Sequence, residues 1–399
     1  MLRGNFMKEK SRVNDIFVIC YSFLIFNIAF TSILPKVVVN AITLITFTIT
    51  MLLTIRTITF IFNDIIGLPF MLFLCYILLT VLSTHFNKGG FFSTGATSST
   101  INYIMILITI FLGIIIISAF GKLKSFLLVI FFVELAYCLL NDITFLPNYR
   151  AFIASQAYLL NGKFQVAYAH LDLLALYFAN IYAKNLKMKK KILYSLIILA
   201  LIVNLLVNCI TGIVGLLLFI IFYFFCSKKL LRQPLFWLVI FIICSSVPFV
   251  YQYIIDSTFY QNFVIGSLNR GLTMTGRMNI YKAVPYLMYN HWHWGYGYGT
   301  SYAVVNGLIS MPNMQNGFME LVVQVGLITT TFFILFVLAV IKSVRFEKNI
   351  ITLPFLCLVY VYTILSSFEI TFSITFFFIC MIIYVLSRKG MERNDSLNG

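Results

Sequence analysis

The strongest constraint on this chain is the recurrence of apolar runs about as long as a bilayer is thick. A helix needs about 20 mostly apolar residues to cross a hydrocarbon core ~30 Å deep. Runs near that length fall at 16–34, 37–55, 65–84, 101–120, 125–141, 166–183, 192–209, 211–226, 234–251, 319–341, 350–368 and 371–386. They predict an all-α fold, a polytopic transmembrane helix bundle of about twelve spans with one large extracytoplasmic loop. The runs at 192–209 and 211–226 also fit one long tilted helix. No soluble domain of ordinary size fits between the runs, and only 10% of residues are charged. Residues 1–399 therefore read as a single integral membrane domain, with a polar cytoplasmic tail at 387–399.

The formal net charge of +16 would suit a nucleic-acid partner, but its distribution excludes that reading. With the N-terminus inside, most cations fall in cytoplasmic segments: Arg3 to Arg12, Arg56, Lys122 and Lys124, Lys184 to Lys191, Lys228 to Arg232, Lys342 to Lys348, and Arg388 to Arg393. That is the positive-inside pattern. The basic residues left outside are Lys36, Lys88, Arg150, Lys163, Arg270, Arg277 and Lys282. Five of these seven lie in two outer loops, 142–165 and 252–318. Singly they fit ordinary loop solvation; as a set they point to an anionic ligand.

The eight cysteines sit in or at the ends of apolar runs without C-x-x-C spacing, which indicates neither a disulfide framework nor a zinc site. The N-terminus has a basic flank and a long apolar run with no A-x-A site, and reads as a retained first span.

Polar chemistry is concentrated in the large loop. Thr275, Gly276 and Arg277 precede a stretch where Ile280, Val284, Leu287 and Met288 recur at helical spacing, which predicts an amphipathic interfacial helix kinked or interrupted at Pro285. The guanidinium of Arg277 suits a phosphate, because its planar fork binds two oxygens and keeps its charge. His291 and His293 alternate with Trp292 and Trp294, which fits an aromatic anchoring belt better than a metal pair without a third ligand. The run Gly295, Tyr296, Gly297, Tyr298, Gly299 lacks nucleotide-binding spacing. It fits either a tight turn or a backbone approach to ligand, with Tyr296 and Tyr298 stacking on sugars. Gln315 and Asn316 can grip hydroxyl groups, and Glu320 can take a proton or simply favour a helix N-terminus. Upstream, Tyr168, His170 and Asp172 enter the outer end of a span. Ionisable groups there suggest a functional cavity or an interhelical hydrogen bond, and Glu134 poses the same choice.

The order of these features resembles the O-antigen and capsular polysaccharide polymerases and the related O-antigen ligases. The residues that carry the likeness are Thr275 to Arg277, His293 to Gly299, Gln315 to Glu320, and Val325 with Gly326. Gly162, Lys163, Phe164, Tyr168 and His170 are similar to the Gram-positive capsule and exopolysaccharide type. The likeness covers the last third well and the middle weakly. Relatives commonly carry His-Asn where this chain has Gln315 and Asn316, and that histidine is a proposed base in ligases. A base would here have to come from His293, Glu320, or His170 with Asp172.

The resemblance implies a bacterial cytoplasmic-membrane glycosyltransferase that joins undecaprenyl-diphosphate-linked oligosaccharide repeat units at the outer face. A flippase and a chain-length regulator would be its associates. Nucleotide sugars are scarce outside the membrane, so an activated bond must arrive on lipid. No Asp-x-Asp motif is present to hold a metal. The expectation is therefore no cofactor and no metal, with Arg277, Arg150, Lys163 and Arg270 stabilising the departing diphosphate and Lys282 beside them. The alternative from another class is a lipid-linked oligosaccharide flippase or transporter, which predicts charges along a central pathway and repeat-related halves. A ligase-type transferase is the near alternative.

Overall fold

A computed structural model describes residues 2–30, 32–90, 92–146, 158–258, 277–345 and 350–395. Among these the secondary structure is helical, apart from an isolated bridge between Tyr158 and Asn161. The helices are α1 (Leu2–Ala29), α2 (Lys36–Phe60, continued by a π-helical turn Ile61–Ile65), α3 (Leu68–Phe86), α4 (Ala96–Ala119) and α5 (Leu123–Phe145). They continue with α6 (Lys163–Ala183), α7 (Lys190–Leu206), α8 (Ile210–Phe224), the single turn α9 (Lys228–Leu231) and α10 (Pro234–Asp256). The last are α11 (Arg277–Leu287), α12 (Ser301–Ile309), α13 (Gly317–Ser343), α14 (Leu353–Leu365) and α15 (Ile374–Asp395).

Seven of these stretches are long and apolar enough to cross a membrane: Lys36–Ile65, Leu68–Phe86, Ala96–Ala119, Leu123–Phe145, Lys163–Ala183, Pro234–Tyr251 and Gly317–Ser343. Shorter apolar helices run over Asp15–Ala29, Ile210–Phe224, Leu353–Leu365 and Ile374–Arg388. Helix suits such sequences because every backbone polar group within lipid must be bonded inside its own segment. The runs at 192–209 and 211–226 form two helices, α7 and α8, separated by a turn in which Asn208 takes a φ of 53°.

The outer helices are patterned inside out. The buried residues of α2 are Thr43, Thr46, Thr50 and Thr57, while Val37, Leu44, Leu52 and Ile55 are exposed. On α3, Thr80, Ser83 and Thr84 are buried and Leu74, Leu78 and Val81 exposed. A water-soluble helix would turn its apolar stripe inward. Small hydroxyl residues at helix contacts with leucine, valine and isoleucine outside are what a lipid solvent selects. Tyr21 and Thr50 share a hydrogen bond of 2.6 Å across the α1–α2 contact. These features make the chain a multi-pass helical membrane protein.

Helix α13 runs against α3, α10 and α15, and α6 is enclosed by α5, α8 and α14. Helix α13 is interrupted at Gly326, whose φ of 77° and ψ of 171° are open to glycine almost alone. The interruption frees backbone groups that the loop before it takes up. Leu327 N donates to Trp292 O at 2.7 Å, Ile328 N to His293 O at 3.3 Å, and Tyr296 N to Val323 O at 2.8 Å. A methyl group on Gly326 would lie 2.1 Å from His293 O, and one on Gly295 would lie 2.7 Å from Gly326 N. Glycine on both sides is what lets a loop lie against a broken helix.

The bundle has two distinct ends. The connections around 30–35, 87–95, 158–162, 288–316 and 366–373 gather at one, tied by contacts such as Thr375 to Ala29 and Ser83 to Trp294. At the other, Lys122 pairs with Asp15, Ser343 meets Ser387, and Tyr384 donates to Ile65 O.

Candidate functional site

The first end is stitched together around the short α14–α15 connection. Gly317 N donates to Ser366 O at 2.8 Å, and Asn316 Nδ2 donates to Ser367 O at 3.1 Å. The Asn316 Oδ1 accepts from Met319 N at 3.0 Å and so caps α13. The Tyr281 hydroxyl donates to Gln315 O at 3.2 Å and Ser367 O at 3.4 Å. Gln315 itself takes a left-handed φ of 48°. Of the two amides expected to grip sugars, both polar atoms of the Asn316 side chain are engaged by protein, and Gln315 takes part here through its backbone.

This stitching places Arg277, the first residue of α11, against the same connection. Its guanidinium donates to Glu369 Oε1 at 2.9 Å and to Phe368 O at 3.0 Å, and it lies over the Phe368 ring. Its Nε is buried with no partner among the described residues. Glu369, in the connection outside the spans, is mostly buried. Burial pushes its carboxyl up from the ordinary range to about 7, against the opposing pull of Arg277 and Lys163.

Glu369 also lines a cavity of about 970 Å³, at the upper end of the roughly 300–1,000 Å³ usual for ligand sites. Lys163, Tyr168 and Asp172 of α6 share this lining with Lys36 of α2 and Glu134 of α5. Amide side chains come from four further places: Asn27 on α1, Asn40 on α2, Asn102 on α4, and Asn313 before α13. Asn161 and Gln165 add two more around the start of α6. Asp172 accepts a hydrogen bond of 2.6 Å from Tyr362, and Glu134 Oε2 is buried with no partner among the described residues. Cations, one carboxylate that titrates near neutrality, and a ring of amides can together bind an anionic head group, hold hydroxyls and move a proton.

Other expected site residues stand elsewhere. His170 is buried with both ring nitrogens engaged, Nε2 with Asp142 at 2.9 Å and Nδ1 with Val166 O at 2.8 Å. That is the interhelical tie between α5 and α6. Glu320 is buried, accepting from Gln324 Nε2 at 2.9 Å and Met314 N at 3.2 Å. The His293 side chain is exposed and its carbonyl serves the break in α13. Lys282 is exposed on α11. Arg150 and Arg270 lie outside the described residues.

The tyrosines of the glycine-rich run are packed into protein. Tyr298 stacks on Tyr103 with centroids 3.9 Å apart, and Tyr296 stacks on His291 at 3.8 Å. Gly295, Gly297 and Gly299 have φ of 63°, 96° and 82°, so the run is a succession of tight bends. Tyr296 and His291 border a second, smaller cavity of about 400 Å³ together with Tyr286 and Tyr289. The apolar face of α11 is turned toward protein: Ile280, Val284, Leu287 and Met288 are buried in a cluster with Val304, Val305 and Val322.

Glu369 is the residue that sequence reasoning missed. Its one signal is a lone acid in the short connection between the last two apolar runs, in a chain with only 12 acidic residues. Among the described residues no group of three histidine, cysteine, aspartate or glutamate side chains is placed to hold a metal ion. The chain matches no family model, no curated protein and no solved structure.

Proposed function

We propose that this chain is a polymerase that joins undecaprenyl-diphosphate-linked oligosaccharide repeat units at the outer face of the bacterial cytoplasmic membrane. On this reading it crosses the membrane about twelve times with both termini inside, and the end of the bundle that holds the cavity faces outward. One observation carries the reading: Glu369, Lys163 and Lys36 line a large, amide-rich cavity walled by apolar helices, and Arg277 is paired with Glu369 at 2.9 Å. Such a cavity suits a ligand with an anionic head, several hydroxyls and a lipid tail. Bidentate hydrogen bonding by arginine would stabilise charge as it develops on the leaving diphosphate.

The transporter alternative draws on Glu134 and Asp172, two ionisable side chains of spans α5 and α6 that share the cavity lining. The Arg277→Ala variant separates the two readings. It should reduce polymer sharply while the protein stays at normal levels in the membrane. Arg277→Lys, which keeps a charge without the fork, should rescue only part of the activity. Single repeat units on the lipid carrier should then accumulate on the outer face, where an added glycosidase can reach them. Accumulation on the cytoplasmic face would favour transport, and unchanged long polymer would remove Arg277 from the mechanism.

A further inference from the structure

The polymerase reading leaves one chemical requirement open. An acceptor hydroxyl must lose a proton as it attacks the anomeric carbon, and of the residues expected to take it only Asp172 lines the cavity, where it accepts from Tyr362 and is not paired with His170. Both nitrogens of His170 are engaged, both oxygens of Glu320 accept from the protein, and His293 is exposed and uses its carbonyl at the break in α13.

We propose that Glu369 is the general base, held by Arg277 until substrate draws the guanidinium away. The proposal rests on the polymerase reading. Three observations carry it. Glu369 lines the cavity, so its carboxylate is within reach of a bound ligand. Its Oε1 is paired with Arg277, the residue best suited to the diphosphate, at 2.9 Å. The Arg277 Nε is buried with no partner among the described residues, which leaves a donor for a second acceptor.

The diphosphate of the donor competes with Glu369 for the guanidinium of Arg277. Glu369, losing its counter-ion in a mostly buried site, becomes a stronger base. It takes the proton of the acceptor hydroxyl as that oxygen bonds to the anomeric carbon. The bond between that carbon and the diphosphate oxygen breaks, and its electron pair leaves with the diphosphate, beside Arg277 and Lys163. A proton then passes from Glu369 to water, and the Arg277 pair reforms when the diphosphate departs. Charged and titratable groups facing Glu369 are Arg277 and Tyr281 from α11, Lys163 and Tyr168 from α6, and Cys209 at the start of α8.

The experiment uses the full chain in lipid with synthetic undecaprenyl-diphosphate repeat units, measuring elongation against substrate concentration and pH. Wild-type kcat/KM should rise with pH through about 7, where the Arg277-paired carboxyl of the free enzyme loses its proton. Glu369→Gln should lower kcat by roughly 10²–10⁴-fold, with KM lowered because the amide competes less for Arg277, and the rise near neutrality lost. Glu369→Asp, which keeps a carboxylate at a shorter reach, should restore part of kcat and a pH-dependent limb. That variant and the wild-type profile keep the test decisive if Glu369→Gln fails to fold. A Glu369→Gln enzyme near wild-type rate, or an aspartate variant no better than glutamine, would overturn the assignment while leaving the polymerase intact. Wild-type protein that elongates nothing at any pH would instead remove the polymerase reading and Glu369's role with it.

Discussion

At the scale of single residues, Gly326 and Gly89 contrast two costs of a positive φ. Gly89 has a φ of 91° and open space where a methyl group would go, whereas a methyl on Gly326 would sit 2.1 Å from a backbone oxygen. A left-handed conformation costs an ordinary residue about 1–2 kcal/mol. Overpacking against atoms that cannot yield adds about 1–3 kcal/mol. Gly326→Ala should therefore destabilise by about 3 kcal/mol or more and Gly89→Ala by only about 1 kcal/mol; thermal unfolding in detergent would measure both. Equal losses would show that the loop near His293 yields easily. Glu369 teaches the opposite lesson about legibility. Its partner Arg277 is 92 positions away in sequence, and only the closing of the bundle makes the pair. A sequence scan weighted toward cations outside the membrane picks out Arg277 and passes over the one acid that holds it.

At the scale of elements, the amide at the head of α13 binds two pieces of structure at once. Asn316 caps the helix through Oδ1 and holds the α14–α15 connection through Nδ2. Asn316→Asp retains the capping oxygen but loses the donor, whereas Asn316→Ala loses both. Loss of the cap alone costs about 1 kcal/mol. Alanine should thus lower stability by about 1–2 kcal/mol. Both variants should speed hydrogen exchange in 366–373, aspartate without the full loss of stability. No change in exchange would mean the connection is held by Gly317 and Tyr281 without Asn316. Helix existence was legible from the apolar runs, because a continuous apolar run of about 20 residues fits the bilayer as a helix that bonds its own backbone. The role of Asn316 was not, because the pattern that marks a helix cap is also the pattern of a sugar-binding amide. The spacing in α11 marks an apolar face, but what buries that face, the cluster with α12 and α13, depends on contacts no local period encodes.

At the scale of the whole molecule, the amide-lined cavity lies at the opposite end of the bundle from Lys122, Lys228 and Arg388. Reporter fusions at Lys163 and Gly307 should therefore report an outside location, and fusions at either terminus a cytoplasmic one. A cytoplasmic signal from Lys163 or Gly307 would turn the cavity toward the wrong compartment for the lipid-linked acceptor proposed above. The charge asymmetry was plain in the sequence because it is a property of composition by segment. The cavity was not, since its amides come from α1, α2, α4, the start of α6 and the segment before α13, which only the folded chain brings together.

The interruption of α13 bears on how such a protein could be re-engineered. Because the carbonyls of Trp292 and His293 complete the hydrogen bonding of Leu327 and Ile328, this loop and the helix after it are one exchangeable cassette. A chimera that imports a foreign loop while keeping the native span would leave amides unpaired at membrane depth. Loop swaps should therefore carry residues 292–299 together with 323–328, and cross-overs placed between these two segments should yield little folded protein.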